Sequence, residues 1–374
     1  AGIFTLVGNA AANFAGPAEI FSLLIGTLPA FLAALSYVEM ASMIPASGSS
    51  YTYTYTIMGE FCAWLVGWDL CLEYMCAAAA VAVSWANYVG SFMELVFSIS
   101  IDHRLLSAPV SWDVRAQSFY VTGSWICLPA VIIIVFITAI IVYDIGASSR
   151  FNSVIVIGKI LILMTFICVC IKYIDPKNYR PILPESQGGN TYGTNGLLHA
   201  TAISFFAFIG FDAVTTAAQE ATKEAEKRLP LRIFCAATAG FLPIDFLAET
   251  TTIGTLFAFI MVHLSIIIMH WTHKPQEETG TGSDLSDSSE TLAREYINNR
   301  ITFPSRTLIC PIMGILMCLL LMWSTSKWTK VRFVCWIAIG QTVYWLYSRK
   351  HSILGNELQT HPDPTTIDPT NVLY

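Results

Sequence analysis

Charge is what this chain of 374 residues has least of: Asp, Glu, Lys and Arg together make up 12% of it, against about 25% in a soluble domain. That shortage excludes an ordinary soluble enzyme. The net charge of −6 is small and spread out, so it gives no basis for binding nucleic acid. Ten cysteines are present, yet none form a Cys-x-x-Cys pair or a metal-type spacing. Cys71, Cys76, Cys168, Cys170 and Cys318 lie inside apolar runs and read as small buried hydrophobes. Neither a metal nor a cofactor is expected. No His-Glu-x-x-His, Gly-x-Ser-x-Gly or paired-Asp motif falls in an apolar run, which argues against an intramembrane enzyme. Without an Asn-x-Ser/Thr sequon, glycosylation gives no clue to topology.

Apolar residues are what the chain has instead, at 55% with a mean hydropathy of +0.59. They gather in runs near residues 1–12, 17–44, 61–93, 126–144, 152–173, 195–218, 232–244, 250–271, 308–323 and 331–348. Several reach the ~20 residues that cross a ~30 Å hydrocarbon layer. The expected architecture is therefore an all-α polytopic membrane protein. Its divisions are a core over 1–271 with about eight spans, an acidic linker over 272–306, a two-helix hairpin over 307–350 and a polar tail over 351–374. With the linker and C-terminus placed in the cytoplasm, Lys and Arg divide 11 inside to 8 outside, with Lys159 left within a span. The cluster Lys223, Lys227, Arg228 and Arg232 sets the local orientation, on the cytoplasmic side.

Glycine interrupts two of these runs, at Ala1-Gly2-Ile3 and within Phe205-Phe206-Ala207-Phe208-Ile209-Gly210-Phe211-Asp212. A helix broken at membrane depth exposes N–H and C=O groups, tolerable where they line a cavity or meet a ligand. Half-helix N-termini suit a carboxylate and unwound carbonyls suit an ammonium, so a zwitterionic amino acid fits such a pair. Close helix packing at both glycines is the competing reading. Ionisable residues inside spans cost roughly 2.5–3.5 kcal/mol each at mid-helix. Lys159 lies roughly 12 Å into its run. Asp69 and Glu73 share one helical face at i,i+4. Buried pairing that fixes helix against helix is the alternative for all three. His263 reads as a hydrogen-bonded packing histidine, and Glu60 as a favourable charge at a helix N-terminus.

Together these residues resemble the cationic amino acid transporter family of the amino acid–polyamine–organocation superfamily. Ala1-Gly2-Ile3 is similar to the second half of that family's first helix break. Ile44-Pro45-Ala46-Ser47-Gly48 resembles its loop into the third helix, and Gly67-Trp68-Asp69-Leu70-x-Leu72-Glu73-Tyr74 that helix itself. Phe205 to Val214 resembles the broken sixth helix, Ile253-Gly254-Thr255-Leu256 the tenth, and Val331-Arg332-Phe333 with Trp336 and Gly340 the last. The likeness runs in order over nearly the whole chain.

The resemblance implies an inverted five-helix-repeat transporter with helices 1 and 6 broken around the substrate. Ala1, Gly2 and Ile3 would meet the substrate carboxylate, and carbonyls of Phe206, Ala207 and Ile209 its amino group, with the turn at Gly210. Phe208 and Phe211 would be bulk or gate, Glu73 would receive a cationic side chain with Glu60 and Asp69 in support, and Lys159 would couple a proton. After the sixth helix, Arg228-Leu229-Pro230-Leu231-Arg232 leads straight into a segment resembling the ninth, so helices 7 and 8 are expected to be missing. The implied function is transport of amino acids such as arginine, lysine or ornithine at the plasma membrane by alternating access, proton-linked or facilitated. The alternative is a non-transporting form that binds or regulates full-length partners. The partners are then an L-amino acid and the bilayer, with homo-oligomers and sterol or lipid contacts left open.

Overall fold

The computed structural model describes residues 2–44, 49–113, 118–143, 145–212, 229–272 and 306–350. The acidic linker, the tail, the basic cluster Lys223–Arg228 and Ala1 lie outside the described residues. The chain opens as a helical run in which α1 (Val7–Ala10) is flanked by wide π turns, Gly2–Leu6 and Ala11–Ala15. At Gly16, φ is +60°, a conformation that favours glycine, and Pro17 follows. There the chain turns into α2 (Glu19–Met43). Next come α3 (Ser49–Met58), α4 (Glu60–Phe97) and a short α5 (His103–Leu106). A hairpin of β1 (Val110–Asp113) and β2 (Ser118–Val121) precedes α6 (Leu128–Tyr143) and α7 (Ile145–Cys170). The chain continues with α8 (Gly193–Ser204), α9 (Leu229–Phe241), α10 (Ile244–Thr272), α11 (Arg306–Ser324) and α12 (Lys327–Leu346).

The described chain is mostly helical, with one addition. The fold is not purely helical, because β1 and β2 pair antiparallel with Val110 opposite Val121 and Trp112 opposite Phe119. Their aromatic and β-branched residues suit a pleated ribbon, which the polar composition of the surrounding loop concealed. About eight spans over 1–271 stays an expectation, because part of that region lies outside the described residues. Among the described residues, four helices are long and apolar enough to cross a membrane, and α11 with α12, turning through 115°, raise this to five. The break after α8 and the 13 residues of α9 leave each of those helices too short to qualify alone.

Small residues let the helices close on one another. The buried face of α4 is Ala63, Ala79, Ala80, Ala82, Ala86 and Gly90, against which α6, α9 and α10 pack. One apolar cluster joins this face to Leu6, Phe14, Ala200 and Leu247. A second joins Tyr37, Tyr53, Phe205, Phe259 and Leu321 across α2, α3, α10 and α11. By contrast α7 stands apart: none of the best apolar window within Asn152–Tyr173 is buried, and Phe166 meets Phe4 edge-on at 5.0 Å.

Indole rings clasp α12 to α4. Trp68 Nε1 donates to the Trp336 carbonyl at 3.0 Å, Trp336 Nε1 donates back to the Trp68 carbonyl at 3.2 Å, and the rings stack 4.7 Å apart. Trp64 Nε1 donates to the Gly340 carbonyl at 3.0 Å. A Cβ on Gly340 would lie 2.4 Å from Trp68 Cδ1, so the clasp closes only on a bare Cα. Gly340→Val should therefore lower the stability of the purified protein by roughly 1–3 kcal/mol, the usual cost of overpacking. Thermal unfolding followed by tryptophan fluorescence checks this, and an unchanged midpoint would show that α12 is not held by this contact.

Candidate functional site

The interruption in the apolar run at 195–218 is explicit. α8 ends at Ser204, Phe205–Phe208 form a 3-10 turn, Ile209 is extended (φ −71°, ψ 140°), and Gly210 has φ +120°. That last value is open to glycine and strained for any other residue. The Phe206 carbonyl accepts from Ile209 N at a long 3.3 Å. Gly2 packs directly on the turn, since a Cβ there would come 2.8 Å from Ala207 Cα. The structure thus brings Gly2 against Ala207. Ile3 is half exposed.

Aromatic rings surround the turn. Phe211 lies 5.3 Å from Phe259 and 5.7 Å from Tyr37, centroid to centroid, and Phe208 lies 6.5 Å from Phe205. Gly26 of α2 gives Phe208 room, at 3.4 Å from a Cβ built there. Ser204, the last residue of α8, donates a short hydrogen bond to buried Glu19 at the start of α2.

Acidic residues lie beyond the turn. Asp69 and Glu73 are fully buried on the face of α4 that meets α10. Gly254 makes the approach possible, because a Cβ there would sit 3.0 Å from Asp69 Oδ1 and 3.5 Å from Glu73 Cβ. Thr255 Oγ1 donates to Glu73 Oε1 at 2.7 Å. Among the described residues, neither oxygen of Asp69, nor Glu73 Oε2, has a hydrogen-bond partner. Tyr74 OH donates to Asp212 Oδ2 at 3.1 Å, and Asp212 interacts electrostatically with both Glu73 and Tyr37. A buried carboxylate with unused acceptor capacity calls for a cation, a proton or a donor.

Lys159 lies away from this cluster. The sequence places it deep in a span, and depth suggested burial, but its side chain is exposed on α7. It makes no pair with Asp69 or Glu73, which are enclosed between α4 and α10 on other helices. Glu60 opens α4, where a carboxylate favours the helix N-terminus. His263 is the packing histidine expected, its Nδ1 2.7 Å from Ser36 Oγ at full burial. Sequence reasoning missed Glu19, His199, Asp245 and Glu249. The spacing of Asp245 and Glu249, i and i+4 like Asp69 and Glu73, was the available signal.

Comparison with known proteins is consistent along the chain. The amino acid permease family model matches residues 1–243, and the model for the C-terminus of these permeases matches 309–352. The methylthioribose transporter of Bacillus subtilis (strain 168) is 32% identical, covering 95% of this chain and 91% of that protein. The branched-chain amino acid permease BcaP of the same organism is 33% identical over 95% and 90%. Cationic amino acid transporter 4 of Mus musculus is 32% identical, over 59% of this chain and 33% of its own length. The alignment with the first of these runs over 436 positions, more than the 374 of this chain, so that relative contains residues with no counterpart here.

Gly210 offers a direct check on the turn. Nothing lies within 4 Å of a Cβ built on it, so substitution meets backbone strain rather than crowding. Gly210→Ala should already lower stability by about 1–3 kcal/mol, with Gly210→Val somewhat worse. An alanine variant that melts with the wild type would mean the backbone at 210 is not held in this conformation.

Proposed function

Because the chain belongs to the amino acid permease family, we propose that it carries amino acids across a membrane by alternating access, and that the junction of Gly2 with Phe206–Gly210 holds the substrate backbone. The observation that carries this reading is the break itself: a 3-10 turn whose Ala207 packs against Gly2, followed by Gly210 at φ +120°. Backbone freed there has a use only if something binds it. The relatives named above are permeases and transporters, not enzymes.

We read the side chain carried as cationic. Asp69, Glu73 and Asp212 gather behind the turn with unfilled acceptor positions on Asp69 and Glu73. A neutral, apolar side chain is the second reading, supported by the rings of Phe208, Phe211, Tyr37 and Phe259 and by the branched-chain permease that matches 95% of the chain. The apolar window of α7, in which no residue is buried, and the residues without counterpart here support a third, in which the chain binds full-length partners instead of transporting. A cytoplasmic C-terminus rests on the Lys and Arg distribution, and plasma-membrane placement on the resemblance to cationic amino acid transporters.

Uptake of labelled arginine and leucine into proteoliposomes separates these readings. Glu73→Gln should weaken arginine roughly tenfold or more, the worth of a hydrogen bond to a charged group, and spare leucine. Equal loss for both would assign Glu73 to packing. Proton linkage through Lys159 belongs to the same proposal, since Lys159 shares a helical face with Phe166, which touches Phe4. Lys159→Met should flatten the pH dependence of uptake and leave exchange of internal for external substrate. Full retention of the pH response would remove the lysine from the cycle.

A further inference from the structure

A separate polar cluster lies where α8, α10 and the turn from α11 into α12 converge. His199 of α8 is 2% exposed, and its Nδ1 is 3.0 Å from the Ser324 carbonyl. A carbonyl only accepts, so Nδ1 carries the hydrogen and Nε2 of the neutral ring is left an acceptor. That Nε2 faces Glu249 Oε1 of α10 at 3.7 Å. An ionised carboxylate is also only an acceptor, so the two lone pairs oppose each other.

Glu249 cannot easily turn away. Its Oε2 accepts from Ser326 Oγ at 2.7 Å and, in a short bond, from Thr329 Oγ1. Arg332 Nη2 donates in turn to Thr329 Oγ1 at 2.6 Å. Phe14 closes one side, edge-on to the imidazole at 4.6 Å. A cavity of about 90 Å³ opens beside the pair, room for water to deliver or remove a proton.

We propose that His199 and Glu249 together bind one proton, held between Nε2 and Oε1. The proton comes from water and adds to the Nε2 lone pair, and the imidazolium then makes a charge-assisted hydrogen bond to the carboxylate. No other bond changes. Bound, the proton fastens α8 to α10 and, through Ser326 and Thr329, to α12. Released, it leaves two acceptors that part or admit a water. α8 runs from His199 into the turn at Phe205–Phe208, so occupancy bears on the helix that leads to the break.

The surroundings are mixed in sign. From α10, Asp245 lines the same cavity and favours the proton, while Asn9 of the first segment donates to its Oδ1 at 2.7 Å. From α12, Arg332 opposes it, though its guanidinium is spent on Thr329 and on the Phe246 ring 3.6 Å away. Lys330, which also senses Glu249, turns its Nζ to the Trp323 carbonyl. The interhelix turn supplies Ser324 and Ser326, and β2 supplies Phe119, none of them charged.

A double-mutant cycle on the full chain in lipid nanodiscs, without substrate, tests this. His199→Asn keeps an amide that can donate to Ser324, and Glu249→Gln keeps an acceptor for Ser326 and Thr329. Thermal midpoints of the wild type, both single variants and the double variant are compared at acid and at alkaline pH, which cancels titration elsewhere. Coupling between positions 199 and 249 should be present at acid pH and lost at alkaline pH. Equal coupling at both would overturn the proposal and leave a fixed polar contact. Where the histidine variant does not insert, ¹⁵N-histidine spectra of the wild type, with His199 assigned through its contact with Phe14, give the same answer. A ring that gains a second proton on acidification supports the site, and one that keeps a single proton wherever the protein is folded overturns it. Neither readout needs transport, so failure of the transport reading would leave this result standing.

Discussion

The seam between α4 and α10 is the contact on which the rest of the molecule depends. In a bilayer, association of apolar helices gains little from the hydrophobic effect and rests on close packing and polar contacts. Here both are present. Gly254 lets α10 approach until a Cβ would touch the Asp69 carboxylate, and Thr255 donates to Glu73 across the joint. Closing the seam leaves Asp69 without a hydrogen-bond partner among the described residues, a cost that packing alone gives no reason to retain. The two helices also serve as a frame. α4 carries the indole clasp to α12, and α10 carries Glu249 to the same helix and His263 to Ser36 of α2.

Against that frame α8 is the element without a regular helical ladder at its end. Its last turn tightens to 3-10, then gives way at Ile209 and Gly210. Its anchors are polar and sit to one side of the break: His199 towards Ser324 and Glu249, and Ser204 towards Glu19. The other side is held by Tyr74 and Asp212. A helix end secured by separate polar bonds on either side of a turn at glycine can shift across that turn without disturbing an apolar core. This is the mechanical property that alternating access asks of a substrate-bearing helix.

How much of this was legible in the sequence depends on whether the signal was local. The glycine at 210 inside an aromatic apolar run marked the break, and the i,i+4 spacing of Asp69 and Glu73 marked a single buried face, because both are facts about neighbours along the chain. The indole clasp joins residues 268 apart, and the His199–Ser324 bond spans 125, so no window of sequence holds either. The strands β1 and β2 and the helix α3 were hidden by composition: Ser-Tyr-Thr-Tyr-Thr-Tyr-Thr reads as polar aromatic loop, yet its hydroxyl-bearing face is buried against α4 and α10. For Lys159 depth was readable and direction was not, since periodicity gives a helical face but never says what that face meets.

Lys159 also exposes the feature of the structure hardest to reconcile with a bilayer. The apolar window of α7 has a mean hydropathy of 2.9 and no buried residue, so lipid would suit nearly all of its surface. A lysine about two turns into the span is the exception, costing roughly 2.5–3.5 kcal/mol there unless it is paired or hydrated. Among the described residues no ion pair to it is formed, and the carboxylates that could have answered it are sealed between α4 and α10. Water can relieve the lysine only through a polar path, and the apolar stretch from Asn152 onward supplies little beyond Asn152, Ser153 and Thr165, the last already donating to the Leu161 carbonyl. Relief therefore has to come from polypeptide or ligand beside α7. The methylthioribose transporter has residues with no counterpart in this chain, which fits an apolar window with one charged position and no ion-pair partner among the described residues.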